Sequence, residues 1–86
     1  MGLQMFNSAE DISAAMREAI VAALPGAQVE VTANSPGHFS IEVASPAFAG
    51  KAMVQQQQLV YAAIKHLMAG DGAPVHAVDR LKTRAA

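Results

Sequence analysis

The chain has 86 residues, a length at which about 60% of the unfolded surface becomes buried and one domain with a single modest core can form. Six Lys and Arg against seven Asp and Glu leave a formal charge of −1 with histidine neutral, which argues against tight, charge-driven binding of nucleic acid. The absence of cysteine excludes disulfides, thiolate metal sites and thiol nucleophiles.

Met1 to Asn7 carries no basic n-region, and no stretch reaches the roughly 18 apolar residues of a membrane helix, so a soluble cytoplasmic protein without membrane contact is expected. From Ser8 to Leu24 the larger apolar residues Ile12, Met16, Ile20 and Leu24 recur every fourth position, thickened by Ala15, Ala19 and Ala23. This spacing predicts an amphipathic helix. Asn7 or Ser8 can cap it, Glu10 and Asp11 suit its positive end, and Pro25-Gly26 stops it.

Gln28 to Ala33 alternates, with Val29 and Val31 opposite Glu30 and Thr32. After Asn34-Ser35-Pro36-Gly37 the alternation resumes as Phe39, Ile41 and Val43 against His38, Ser40 and Glu42, so two strands and a tight loop predict a hairpin. Pro36-Gly37 suits the centre of a type II turn, because proline presets the first φ and glycine accepts the positive second one. Ser45 to Gly50 breaks the strand ahead of a second helix from about Met53 to Ala69, with Val60, Ala63, Ile64 and Leu67 as its apolar face. The run Gln55 to Gln58 reads as a solvated turn of that helix.

Gly70-Asp71-Gly72 ends the helix. A last strand follows Pro74, with Val75, Ala77 and Leu81 inward and His76, Val78, Arg80 and Lys82 outward; Asp79 falls on the inward set, where a carboxylate does not belong. The expected organisation is an N-terminal flexible segment over 1–7, one domain over 8–82 and a frayed tail over 83–86. Helix, strand, strand, helix, strand implies a two-layer α+β sandwich, both helices covering one face of a three-stranded mixed sheet. Its expected core is Ile12, Met16, Ile20, Phe39, Ile41, Val43, Val60, Ile64 and Leu67.

His38 opens the second strand and His76 stands at the start of the third. If those two strands are parallel neighbours, both imidazoles lie at one end of the sheet, on strands about 4.8 Å apart. Each is out of phase with the apolar set of its strand, which puts both on the face that the helices leave open. Imidazole is a common ligand for zinc, copper and iron, so a shared site would be suited to a metal. His66, in mid-helix beside the apolar face, reads as a solvent-facing residue.

Three blocks carry a resemblance to a known family: Ser45-Pro46-Ala47-Phe48-Ala49-Gly50-Lys51, Leu59-Val60-Tyr61 and Val75-His76-Ala77-Val78. In their spacing the chain from about Ile12 to Lys82 resembles the BolA family, whose fold is a class II KH-like sandwich, and Gly37-His38-Phe39 resembles its acid-responsive, IbaG-like bacterial branch. The resemblance implies a non-enzymatic partner of a monothiol glutaredoxin that shares a [2Fe–2S] cluster in iron–sulfur trafficking or iron and redox signalling. The family's ligand positions fall on His38 and His76, while thiolates would come from the glutaredoxin and its glutathione. Ser35, Pro36, Gly37 and Arg80 would then belong to the partner surface. Alone, the chain would hold no cluster and would be a monomer or weak homodimer.

The alternative implied by the family is a DNA-binding transcriptional regulator of stress or morphology genes, with Lys51, Arg80, Lys82 and Arg84 as phosphate contacts. DNA is the weaker expectation. The Arg-His often found at the start of the family's second helix is replaced here by glutamines, and the Gly-x-x-Gly loop of KH nucleic-acid sites is absent. Enzyme readings have less support, since Ser35 and Ser40 near His38 lack a third orienting group. A free-standing zinc site would be short of ligands with only two imidazoles.

Overall fold

The computed structural model describes residues 8–86, so the expected flexible segment over 1–7 lies outside the described residues. Helix α1 spans Ala9–Ala23; Ser8 caps it, its Oγ accepting from the Asp11 backbone N–H at 3.1 Å. Strands β1, Gln28–Ser35, and β2, His38–Ser45, form the antiparallel hairpin. A short 3-10 turn, Pro46–Phe48, leads to helix α2, Met53–Met68, and strand β3, Ala77–Ala85, closes the order.

The sheet order is β1-β2-β3, with β2 central and parallel to β3. Helix α1 packs on β1 and on α2, and α2 packs on β3, which gives the two-layer α+β sandwich. Met16, Ile20, Phe39, Ile41, Val43, Val60, Ile64 and Leu67 are buried between the layers, and Ile12 packs against them half-buried. Phe48 joins them with no exposed surface. Pattern alone does not reveal it, because a lone aromatic in a Pro-Ala-Phe turn belongs to no periodic face.

Expectations about the last strand are corrected. In β3, Phe39 pairs with Val78 but Ser40 pairs with Arg80, so the register slips and Asp79 is left over as a bulge. The extra residue reverses the side-chain phase: Val78 packs against the core on one side of the bulge, and Leu81 and Thr83 face inward on the other. Val78 is therefore inward rather than outward, and Asp79 avoids the core altogether. The predicted frayed tail is also strand, since Thr83, Arg84 and Ala85 pair with Val43, Ala44 and Ser45.

The glutamine run is more than a solvated turn. Ala52 stands at the N-cap of α2 with no side-chain oxygen to offer, and Gln55 Oε1 accepts from the Ala52 backbone N–H at 3.2 Å. That is half of a capping box. Gln56 is buried and donates through Nε2 to the Lys51 carbonyl at 2.9 Å, tying the loop before α2 to its first turn.

Truncating the fully enclosed ring is expected to be costly. Phe48→Ala should lower the unfolding free energy by about 3–5 kcal/mol, measured by urea denaturation; a loss below about 1 kcal/mol, within the range of surface substitutions, would contradict its place in the core.

Candidate functional site

The site begins with a turn. Ser35 and His38 are paired across Pro36-Gly37, and Gly37 has φ +79, the positive value required at the third position of a type II turn. Its carbonyl accepts two backbone N–H groups from the chain entering β3, His76 at 2.8 Å and Ala77 at 3.0 Å. The two parallel strands are thus clamped together at their first residues.

His38 pairs with Ala77, and the next pair, Phe39 with Val78, turns toward the core. His38 therefore lies on the open face of the sheet. His76 stands one residue ahead of β3 with an exposed side chain; Ala77, expected inward, takes the position beside His38 on the open face, so strand alternation does not bring His76 to that face as expected. What positions it is Gly37: a Cβ built there would lie 2.6 Å from His76 Cδ2 and 2.8 Å from its Cγ. The imidazole occupies the space that any other residue's side chain would need. Both histidines are held at the same end of the sheet, around one glycine.

A polar network supports His38. Its Nδ1 lies 3.0 Å from Asp79 Oδ1, within hydrogen-bond distance of a carboxylate that, when ionised, only accepts. Asn34 Nδ2 donates to Asp79 Oδ2 at 3.1 Å and to Ser40 Oγ at 2.9 Å. The imidazole first, and the Asn34 amide second, hold the Asp79 carboxyl below its ordinary value, more than offsetting the opposing effect of desolvation.

Asp79 and Asn34 are the site residues that sequence reasoning missed. A signal existed for Asp79: a carboxylate on the inward phase of a strand is a reason to suspect a bulge. Of the expected partner-surface residues, Ser35 and Pro36 are exposed beside His38, Gly37 lies between the histidines, and exposed Arg80 pairs with Ser40 in the next row. Lys82 and Arg84 continue down the open face, where Lys82 pairs with Glu42 and Glu42 with Glu30. Lys51 is exposed in the loop before α2, off that row. His66 is exposed on α2.

Among the described residues no group of three or more His, Cys, Asp or Glu could hold a metal ion. The chain itself contains no cysteine. A metal centre that used His38 and His76 would need its remaining ligands from elsewhere.

The family model described as BolA-like protein matches residues 14–86. Similar solved structures include BolA1 from Mus musculus, 28% identical, with a TM-score of 0.69 over 99% of this chain and 73% of that one. A bolA protein homologue from Coxiella burnetii is also 28% identical, with a TM-score of 0.68 over 93% and 92% of the two chains. The XC975 protein is 34% identical, with a TM-score of 0.59 over 99% and 95%. No curated protein sequence matches the chain.

Gly37→Ala should both strain the turn, by about 1–2 kcal/mol for a left-handed non-glycine residue, and displace the His76 ring. Urea denaturation and the amide shifts of His76 and Ala77 report the two effects, and unchanged amide shifts would refute the close packing. The depressed carboxyl of Asp79 contributes stability that is complete above its unfolded value of about 3.9 and is lost as pH falls through its lower folded value. The stability gap between wild type and Asp79→Asn should therefore narrow on acidification below the ordinary carboxylate range; a gap that widens there would refute the linkage.

Proposed function

The chain belongs to the BolA family, and on that premise we propose that it is a non-enzymatic partner of a monothiol glutaredoxin, with His38 and His76 supplying ligands to a [2Fe–2S] cluster shared with the glutaredoxin and its glutathione. The observation that carries this reading is that His38 and His76 flank the same end of the sheet, His38 opening β2 and the His76 ring packed on Gly37 just ahead of β3. His38 supports it further, since its Nδ1 is engaged by Asp79, which leaves Nε2 as the nitrogen without a partner among these contacts. Two imidazoles without a thiolate are half of a cluster's ligand set, and a glutaredoxin with glutathione has the thiolates to complete it.

When bound, such a cluster supplies one-electron chemistry at a potential raised by histidine ligation relative to an all-thiolate centre. The chain's own contribution is to hold two imidazoles at one end of a rigid sheet and to offer Ser35, Pro36, Gly37 and Arg80 as the surrounding contact surface. Iron–sulfur trafficking, maturation or signalling is the role that this arrangement suits, and the cytoplasm is the compartment proposed for it.

The DNA-binding alternative rests on Arg80, Lys82 and Arg84 along β3. It has less support, because Lys82 shares its row with Glu42 and Glu30, whose carboxylates would repel a phosphate backbone. Lys51 lies off that row and does not reinforce it.

Co-purification with a monothiol glutaredoxin, iron and glutathione should yield a heterocomplex whose visible and near-UV circular dichroism differs from that of the glutaredoxin alone. His38→Ala and His76→Ala should each alter that spectrum. A cluster spectrum indifferent to both substitutions would remove the ligand assignment.

A further inference from the structure

We infer that Asp79, anchored by Asn34, is a positioning residue for His38 that fixes its neutral imidazole in the Nδ1–H form and makes Nε2 its donor atom. The inference rests on the glutaredoxin reading only for its consequence at the cluster. Its structural basis lies in two bulges. The register between β1 and β2 slips between Ala33 and Ser35, leaving Asn34 unpaired, and the register between β2 and β3 slips at Asp79.

The bulges flank the same stretch of the central strand from opposite sides. Each one frees a side chain from the regular alternation and lets it reach over β2, where His38 and Ser40 lie on the open face. Asn34 and Asp79, 45 positions apart in sequence, meet there at 3.1 Å. Bulges recur beside functional sites because they re-aim a side chain in this way.

The division of labour within the carboxylate is specific. Oδ2 accepts from Asn34 and Oδ1 from His38, so one oxygen orients Asp79 while the other orients the imidazole. Asn34 is held in turn, since its amide also donates to Ser40 Oγ at 2.9 Å. A carboxylate on the second nitrogen of a ligating histidine selects the tautomer, fixes the ring and raises the basicity of the donor atom. His76 is positioned by other means, through its backbone N–H and the bare face of Gly37. The two imidazoles are thus presented by independent devices, and His38 is the one whose donor strength depends on a charge.

The test begins with the full-length chain free of metal. Long-range 1H–15N NMR at alkaline pH, with the imidazoles neutral, should show His38 protonated on Nδ1. In Asp79→Ala that preference should be lost; in Asp79→Asn, whose carbonyl can still accept from Nδ1–H, it should be largely kept. Amide spectra establish that each variant is folded. A wild-type His38 protonated on Nε2, or an Asp79→Ala variant that keeps the Nδ1–H form, would overturn the inference.

The second arm uses the glutaredoxin heterocomplex and follows loss of the cluster to a chelator. Asp79→Ala should weaken retention by about 10–100-fold, the usual effect of removing such a partner from a ligating histidine, with Asp79→Asn falling between it and wild type. Equal retention in all three would overturn the consequence for the cluster. The NMR arm contains neither metal nor glutaredoxin, so failure of the glutaredoxin reading and failure of the positioning inference give different results.

Discussion

The carbonyl of Gly37 is the point on which the site's geometry depends. By accepting from both His76 and Ala77 it joins the turn of the hairpin to the start of the last strand. Those two segments are separated in the chain by β2, the 3-10 turn and all of α2. Parallel neighbours require such a crossover, and the clamp determines which residues meet once it is made. Glycine is required here on two counts: the turn needs φ +79, and the His76 ring fills the place of a side chain. A larger residue would disturb the turn and the histidine together.

From that clamp the rest of the site follows by register. His38 beside Ala77 sets Phe39 and Val78 into the core, and the bulge at Asp79 then restores Leu81 and Thr83 to the inward side. Without the bulge, β3 would have to bury a carboxylate or expose its apolar residues. A single extra residue thus solves a packing problem and delivers a hydrogen-bond acceptor to His38. The core below it, from Met16 and Ile20 through Phe39, Ile41 and Phe48 to Val60 and Ile64, has no exposed surface beyond 1% on any of these residues, which gives the polar network a firm support.

Much of this was legible in the amino-acid order. The four-residue spacing of Ile12, Met16, Ile20 and Leu24 and the Ser8 cap define α1 almost to the residue, and Pro36-Gly37 announces the hairpin. The alternation of Phe39, Ile41 and Val43 placed His38 on the open face. Legibility ended at β3, because alternation assumes an unbroken pleat and Asp79 breaks it. The burial of Phe48 and Gln56 was hidden for a related reason: both lie where the chain leaves or enters a helix, and what encloses them comes from other elements.

The sequence by itself determined the kinds and order of elements, the turn at Gly37, and the presence of two histidines in a chain with no thiol, because these depend on local periodicity and on residue chemistry. The resemblance to BolA proteins was likewise carried by short blocks in sequence order. Only the tertiary structure decided that Gly37 would lie against His76 and that Asn34 and Asp79 would meet over β2 beside Nδ1 of His38. Those contacts join residues about forty positions apart, and their geometry follows from where two strands slip register, which depends on how the whole sheet packs against its helices.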